Sequence, residues 1–253
     1  MRAVLSQTPT APTATWVPAR CLRVLTVGVL AAVSLAAQSQ SLKREEFPPV
    51  QGKGAVVIVV SGASGTANYR ETATRLSALG YFAVLIDGSS IYKRYPPAGF
   101  DGPGQLQSVM ADAVASPRAL PGKVALMGFS IGGTAVLVHG APMKDQVAAV
   151  VAYYPAITSL GPDMNPLASR LRVPVLLIAG EQDRYTDCCL IESMKALAAA
   201  TKSEPFELLT YPASGHGFNL EETQFAYVAQ DAADAWLKAT TYLKRMHPPS
   251  GER

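Results

Sequence analysis

The stretch Val124-Ala125-Leu126-Met127-Gly128-Phe129-Ser130-Ile131-Gly132-Gly133 constrains this chain more than any other. A continuous apolar run enters Gly-x-Ser-x-Gly and leaves through Thr134-Ala135-Val136-Leu137-Val138, which predicts a buried strand, a tight turn and a buried helix. The five-residue pattern alone would arise by chance about once in ten chains of this size; the strand before it and the helix after it give it meaning. Glycine is required at 128 and 132 because β-carbons there would collide with the adjoining strand and helix. Ser130 is therefore expected at the C-terminal edge of a parallel sheet, its oxygen beside the first amides of the following helix.

At 253 residues, about half of them hydrophobic, the chain suits one α/β domain with a substantial core. The N-terminus differs in kind. Arg2, Arg20 and Arg23 lie in a polar, Pro/Thr-rich segment followed by Val24 to Ala37, a 14-residue run without charge. This is a signal-peptide pattern over residues 1–36, with Ser34-Leu35-Ala36 as a small-residue cleavage site and a secreted or periplasmic mature protein as the consequence. The run falls short of the roughly 20 residues of a membrane span, so no stable span is expected; an uncleaved N-terminal anchor is the alternative. Residues 37–49 read as a linker, 50–247 as the domain and 248–253 as a flexible tail. The first 36 residues hold three Arg and no acid, which leaves 19 residues of each sign in the remainder. The basic balance thus belongs to the targeting segment, and no mature basic patch points to nucleic acid.

Cys21 would leave with the signal, and Cys188 and Cys189 are adjacent. Neighbouring α-carbons are about 3.8 Å apart, below the usual disulfide range of about 4.4–6.8 Å. Packed thiols at the start of a helix are therefore favoured over a vicinal bridge. None of the three His pairs with Cys or another His at ligand spacing, so no metal site is expected.

Along the chain, Gly54 to Ser61 reads as a strand buried on both faces, followed by the loop Ser61-Gly62-Ala63-Ser64-Gly65. A helix over 68–79 closes at Gly80, and a second buried run over 82–86 ends at Asp87-Gly88. This strand-helix-strand order is a right-handed crossover unit. Residues 89–104 form an irregular loop, a candidate substrate wall above the strand ends. A helix over 105–116 leads back to the strand before Ser130. Strands follow over 147–153, 173–178 and 206–211, and a final helix spans about 222–246. The fold class is α/β, a mostly parallel sheet with helices on both faces. The connection over 156–171 leaves no room for a large cap.

A serine hydroxyl needs a base to take its proton, and the base needs an acid to hold its tautomer. Ser130, Asp183 and His216 occur in that chain order, each just past an expected strand. His139 lies two turns into the helix and points away, and His247 falls in a frayed tail. For the acid, Asp183 follows its strand by a short turn, whereas Asp187 is placed to cap the next helix and Glu181 comes two residues earlier. The expected oxyanion donors are the backbone N–H groups of Ile131 and of Ala63, with that of Ser64 as the alternative to Ala63. Candidate substrate contacts are Ser64, Tyr92, Arg94 and Tyr154. Lys93 and Arg94 fit an acidic substrate group or an ordinary basic surface loop, and the tyrosines fit pocket or packing equally well.

Three stretches carry a family resemblance: Gly128-Phe129-Ser130-Ile131-Gly132-Gly133, Val175 to Asp183, and Tyr211-Pro212-Ala213-Ser214-Gly215-His216-Gly217-Phe218. In these the chain resembles the dienelactone hydrolase family of α/β-hydrolases over about residues 50–245, and Tyr153-Tyr154-Pro155 resembles that family's aromatic turn. The resemblance implies an α/β-hydrolase fold with little or no cap, and hydrolysis of small ester or lactone substrates without cofactor or metal. Enzymes acting on dienelactone carry a cysteine nucleophile where this chain has Ser130, so a general serine esterase is the closer expectation. A peptidase or acyltransferase using the same residues, or a non-catalytic binding protein on the same fold, stands as the alternative.

Overall fold

The computed structural model describes residues 42–202, 205–221 and 223–249; the expected signal segment and its Cys21 lie outside them. Among the described residues, seven strands, β1 (Arg44–Phe47), β2 (Val56–Val60), β3 (Phe82–Ile86), β4 (Val124–Phe129), β5 (Val147–Tyr153), β6 (Val175–Gly180) and β7 (Phe206–Tyr211), form one sheet in the order β1-β3-β2-β4-β5-β6-β7. Only β1 runs antiparallel to its neighbour. Strands β2, β3, β4 and β6 are buried along their whole length, as their unbroken apolar runs require. Each fully buried Val, Leu or Ile contributes about 1.5–3 kcal/mol over an exposed one, so such strands take the sheet centre and polar segments take its margins.

The sheet has a core on each face, and single strands divide their side chains between them. Val56, Ile58 and Val60 pack on one face with helices α3 (Gly102–Val114), α5 (Asn165–Ala168) and α6 (Ile191–Ala200). Val57 and Val59 pack on the other with α1 (Arg70–Ala78) and α7 (Ala229–Met246). The remaining helices are short: α2 (Gly88–Ile91), with Asp87 accepting from the Ser89 N–H at 2.9 Å, and α4 (Ile131–Ala135), which continues as a wider turn to Gly140. Among the described residues no helix is long and apolar enough to cross a membrane.

Several expectations are corrected. The stretch expected as a linker holds β1, whose Glu45 accepts from Thr66 at 2.7 Å and Arg70 at 2.6 Å and whose Arg44 reaches Asp112 at 2.6 Å; its charges suit an edge strand. The last helix starts at Ala229 rather than near 222, which frees Phe225 and Val228 from it. His247 is buried, not frayed: its Nε2–H donates to the Val56 carbonyl at 3.0 Å, and its own carbonyl accepts from Tyr81 at 3.0 Å. The carbonyl of Pro249, expected in a flexible tail, accepts from the Ala55 N–H at 3.0 Å.

The approach of α4 to the sheet sets the elbow. A β-carbon on Gly128 would strike the Gly132 carbonyl and lie 2.8 Å from the Gly133 nitrogen, and one on Gly132 would strike the carbonyls of Ser61 and Val60. These are backbone atoms, unable to turn aside. Gly128→Ala is therefore expected to destabilise the domain by about 3 kcal/mol or more and to lower activity with it; urea denaturation beside the unsubstituted chain checks this.

Candidate active site

Ser130 sits between β4 and α4 with φ 54° and ψ −118°, a left-handed conformation that a non-glycine residue keeps only when its surroundings enforce it. Here the Ser130 N–H donates to Tyr153 O at 3.0 Å, and the Ser130 carbonyl accepts from the N–H groups of Thr134 at 3.0 Å and Ala156 at 3.2 Å. The strain aims the Oγ away from the strand, toward His216.

His216 follows β7 and Asp183 follows β6, so two neighbouring parallel strands deliver both to the same sheet edge. His216 Nε2 lies 3.1 Å from Ser130 Oγ and His216 Nδ1 lies 2.7 Å from Asp183 Oδ2. The second carboxylate oxygen of Asp183 accepts from the Tyr185 N–H at 3.0 Å. Asp183 is 1% exposed, against 7% for both Ser130 and His216, so solvent reaches the serine end of the chain of bonds and not the carboxylate end. Proximity separates the three acids considered from sequence. Asp183 is the one bonded to His216; the Glu181 N–H is tied to Tyr211 O at 2.9 Å, and Asp187 lies in the wall of the cleft. Asp187 also fails to cap α6, whose N-cap is Leu190.

The loop after β2 stands beside Ser130. A β-carbon on Gly62 would lie 3.5 Å from Ser130 Cβ, so the segment that carries Ala63 passes close to the serine, and Ile131 directly follows it in the chain. Tyr69 underpins this loop. Burial pushes its phenol up to about 12, against the pull of the Gly62 backbone and the Ser64 hydroxyl, so it stays neutral and fixed.

A cleft of about 690 Å³ has Ile131, the residue after Ser130, in its wall together with Tyr92, Arg94, Thr158, Asp187 and Cys188. Of the candidate substrate contacts, Tyr92 and Arg94 line it. Arg94 rests on the Tyr95 ring at 5.3 Å and Lys93 faces the Phe100 ring at 5.8 Å. Tyr154 and Ser64 do not line it. Tyr154 is buried, donates its hydroxyl to Asn219 at 2.7 Å and packs its ring 4.7 Å from that of His216; burial holds its phenol neutral. Ser64 faces solvent near Asn68. His139 lies 5.8 Å from the Tyr92 ring, and burial followed by the Arg170 charge lowers its pKa.

The sequence reading missed two rings that enclose the imidazole. Tyr185 stacks on His216 at 4.7 Å and 18°, and Phe225 meets it edge-on at 5.0 Å and 67°. Tyr185, two residues past Asp183, could have been read from that turn; Phe225 was hidden by assigning it to a helix. The cysteine expectation is also overturned: Cys188 and Cys189 are joined as a disulfide. Between adjacent residues such a bridge closes a small ring within the backbone, so the short α-carbon separation does not forbid it. The fold further brings these two sulfurs and a His216 ring nitrogen within 4.8 Å of one another, a juxtaposition invisible in the spacing. Bonded to each other, the sulfurs have no thiolate to offer a metal.

Comparisons with known proteins agree with this architecture. Over 236 residues the chain is 28% identical to the Escherichia coli (strain K12) protein named "Putative carboxymethylenebutenolidase", covering 84% of this chain and 85% of that one. Among solved structures, it is similar to the dienelactone hydrolase-like promiscuous phosphotriesterase P91 from metagenomic libraries (TM-score 0.61, 20% identity, 81% of this chain and 99% of that one). It is also similar to Est1E from Butyrivibrio proteoclasticus (TM-score 0.61, 15% identity, 80% and 93%). These two structural likenesses speak for the fold alone. The dienelactone hydrolase family profile matches residues 46–247, nearly the whole described domain, and the chain belongs to the dienelactone hydrolase family.

Proposed function

We propose that this protein hydrolyses carboxylic esters and lactones through an acyl-enzyme on Ser130. The observation that carries the reading is the unbroken path from Ser130 Oγ through His216 to the buried Asp183, at 3.1 and 2.7 Å. His216 takes the Ser130 proton as the oxygen attacks the substrate carbonyl. Asp183 holds the imidazole with its Nδ1 proton inward and stabilises the imidazolium that forms. The Ile131 and Ala63 amides receive the developing oxyanion. His216 then gives its proton to the leaving alkoxide, and water repeats the sequence to release the acid. The open cleft suits small substrates, and Lys93 and Arg94 on its wall favour esters bearing an acidic group.

The test is intact-mass analysis of the full chain after exposure to a fluorophosphonate, followed by a panel of short esters and lactones with and without a carboxylate. A single adduct on Ser130 and turnover of panel members are expected. A folded protein that takes no adduct and turns over nothing would overturn the proposal.

A further inference from the structure

We propose that the Cys188–Cys189 bridge is a reversible thiol–disulfide exchange site on the cleft wall, which takes a small dithiol as its reactant and whose oxidised form holds the acid-base arm of the site in working order. The inference rests on the hydrolase reading above. Cys188 is partly exposed and lies in the cleft wall, whereas Cys189 is buried. A dithiol entering the cleft therefore meets Cys188 Sγ. Its thiolate attacks that sulfur, the S–S bond breaks, and the electron pair leaves on Cys189 Sγ, which takes up a proton. The second thiol of the reagent then attacks the mixed disulfide, releasing the Cys188 thiol and a cyclic oxidised reagent. The bridge encloses no length of chain, so its loss removes no long-range constraint on the unfolded protein and the effect is local.

What lies nearby makes the local effect matter. The sulfurs sit within 4.8 Å of a His216 ring nitrogen. The turn just before them carries Thr186 and Asp187 at φ 48° and 52°, consecutive non-glycine residues in a conformation that persists only while the surroundings impose it. One end of this turn is tied to the acid, through the Tyr185 N–H on Asp183 Oδ1 at 3.0 Å. The other end is tied to the segment after β5 in the same cleft, through the Cys188 carbonyl, which accepts from the Thr158 N–H at 3.0 Å. Tyr185 within it stacks on the imidazole at 4.7 Å. Two thiols need more separation than two bonded sulfurs, so reduction pushes Cys188 toward the cleft or lets the turn relax; either movement shifts Tyr185 and the carboxylate it helps to hold.

The full chain is treated with dithiothreitol or left oxidised, freed of reagent, and assayed for ester turnover and for the rate of fluorophosphonate capture. Alkylation with N-ethylmaleimide under denaturing conditions and tryptic mapping report the bridge, since cleavage after Arg184 and Lys195 leaves both cysteines on one peptide. Before reduction that peptide is expected unalkylated; after reduction it carries two maleimide groups. Reduction is expected to lower kcat/KM and capture rate about tenfold without changing the thermal midpoint appreciably, and reoxidation with diamide should restore both. The variant Cys188→Ser/Cys189→Ser is expected to resemble the reduced enzyme and ignore the dithiol. Both cysteines alkylated before reduction, rates unmoved by reduction, or a dithiol effect surviving in the double variant would each overturn the proposal. Absence of capture in both redox states would instead count against Ser130 as a nucleophile, and so against the hydrolase reading itself.

Discussion

Ser130→Ala is expected to remove ester turnover by a factor on the order of 10⁶ in kcat while leaving the fold in place. The Oγ is the only atom deleted, and its bond to His216 at 3.1 Å is worth about 1 kcal/mol to stability. The backbone bonds that fix the elbow, to Tyr153, Thr134 and Ala156, involve main-chain atoms that alanine retains. The left-handed φ of 54° is equally unfavourable for either residue, so the substitution neither relieves nor adds strain. Steady-state kinetics beside a thermal melt separates the two effects. A variant that unfolds more than about 10 °C early, well beyond the few degrees that about 1 kcal/mol costs, would show that the hydroxyl is structural, and one that keeps more than about 1% of the rate would show that another nucleophile is at work, since oxyanion donors and binding alone supply far less than a complete set.

Asp183→Asn is expected to lower kcat about 10⁴-fold. The buried carboxylate accepts from His216 Nδ1–H and from the Tyr185 N–H at once. An amide of the same shape keeps one acceptor and presents an NH₂ group. With the oxygen kept toward Tyr185, that NH₂ faces Nδ1 and forces the ring proton onto Nε2, where it points at Ser130 and blocks general-base action. The lost charge also withdraws the stabilisation of the imidazolium. Loss of a charged hydrogen bond in a buried position costs about 1.5–3 kcal/mol, so the melting temperature should fall while the protein remains folded. Glu181→Gln, whose carboxylate takes no part in these bonds, is the control expected to keep a near-normal rate. Equal losses in both variants would mean that the acid has been misassigned.

The alternation of burial along the chain was legible before any coordinates because it is local. Val56 to Val60, Phe82 to Ile86 and Val124 to Phe129 could be buried on both faces only as central parallel strands, and the stretches between them carried helical spacing. The elbow was legible for the same reason: Gly128 and Gly132 each lie two residues from the serine whose approach they permit. The chain order Ser130, Asp183, His216 followed from each residue's place just past a strand, since parallel strands end at one edge of the sheet.

Contacts fixed by strand register and loop path were not legible. Asp183 and His216 are 33 residues apart and meet because β6 and β7 pair with Gly180 opposite Tyr211; a sequence ranks Asp183 above Glu181 and Asp187 but cannot bring any of them to the imidazole. Tyr154 read as a pocket residue because a tyrosine just past a strand end fits one, yet with a left-handed φ of 35° it is buried and packs its ring 4.7 Å from that of His216. Burial of His247 depended on the chain returning past α7 to the start of β2. Phe225 reached the imidazole because α7 starts late, and Cys188 and Cys189 reached it because the turn after β6 folds back over the strand ends. Sequence alone determined the parallel strands, the elbow and the residue types available for chemistry, because these depend on neighbours a few residues away, whereas the antiparallel edge strand β1 did not show in it. Tertiary structure alone decided which carboxylate, which rings and which sulfurs surround His216, because these depend on distances across strands that no local pattern encodes.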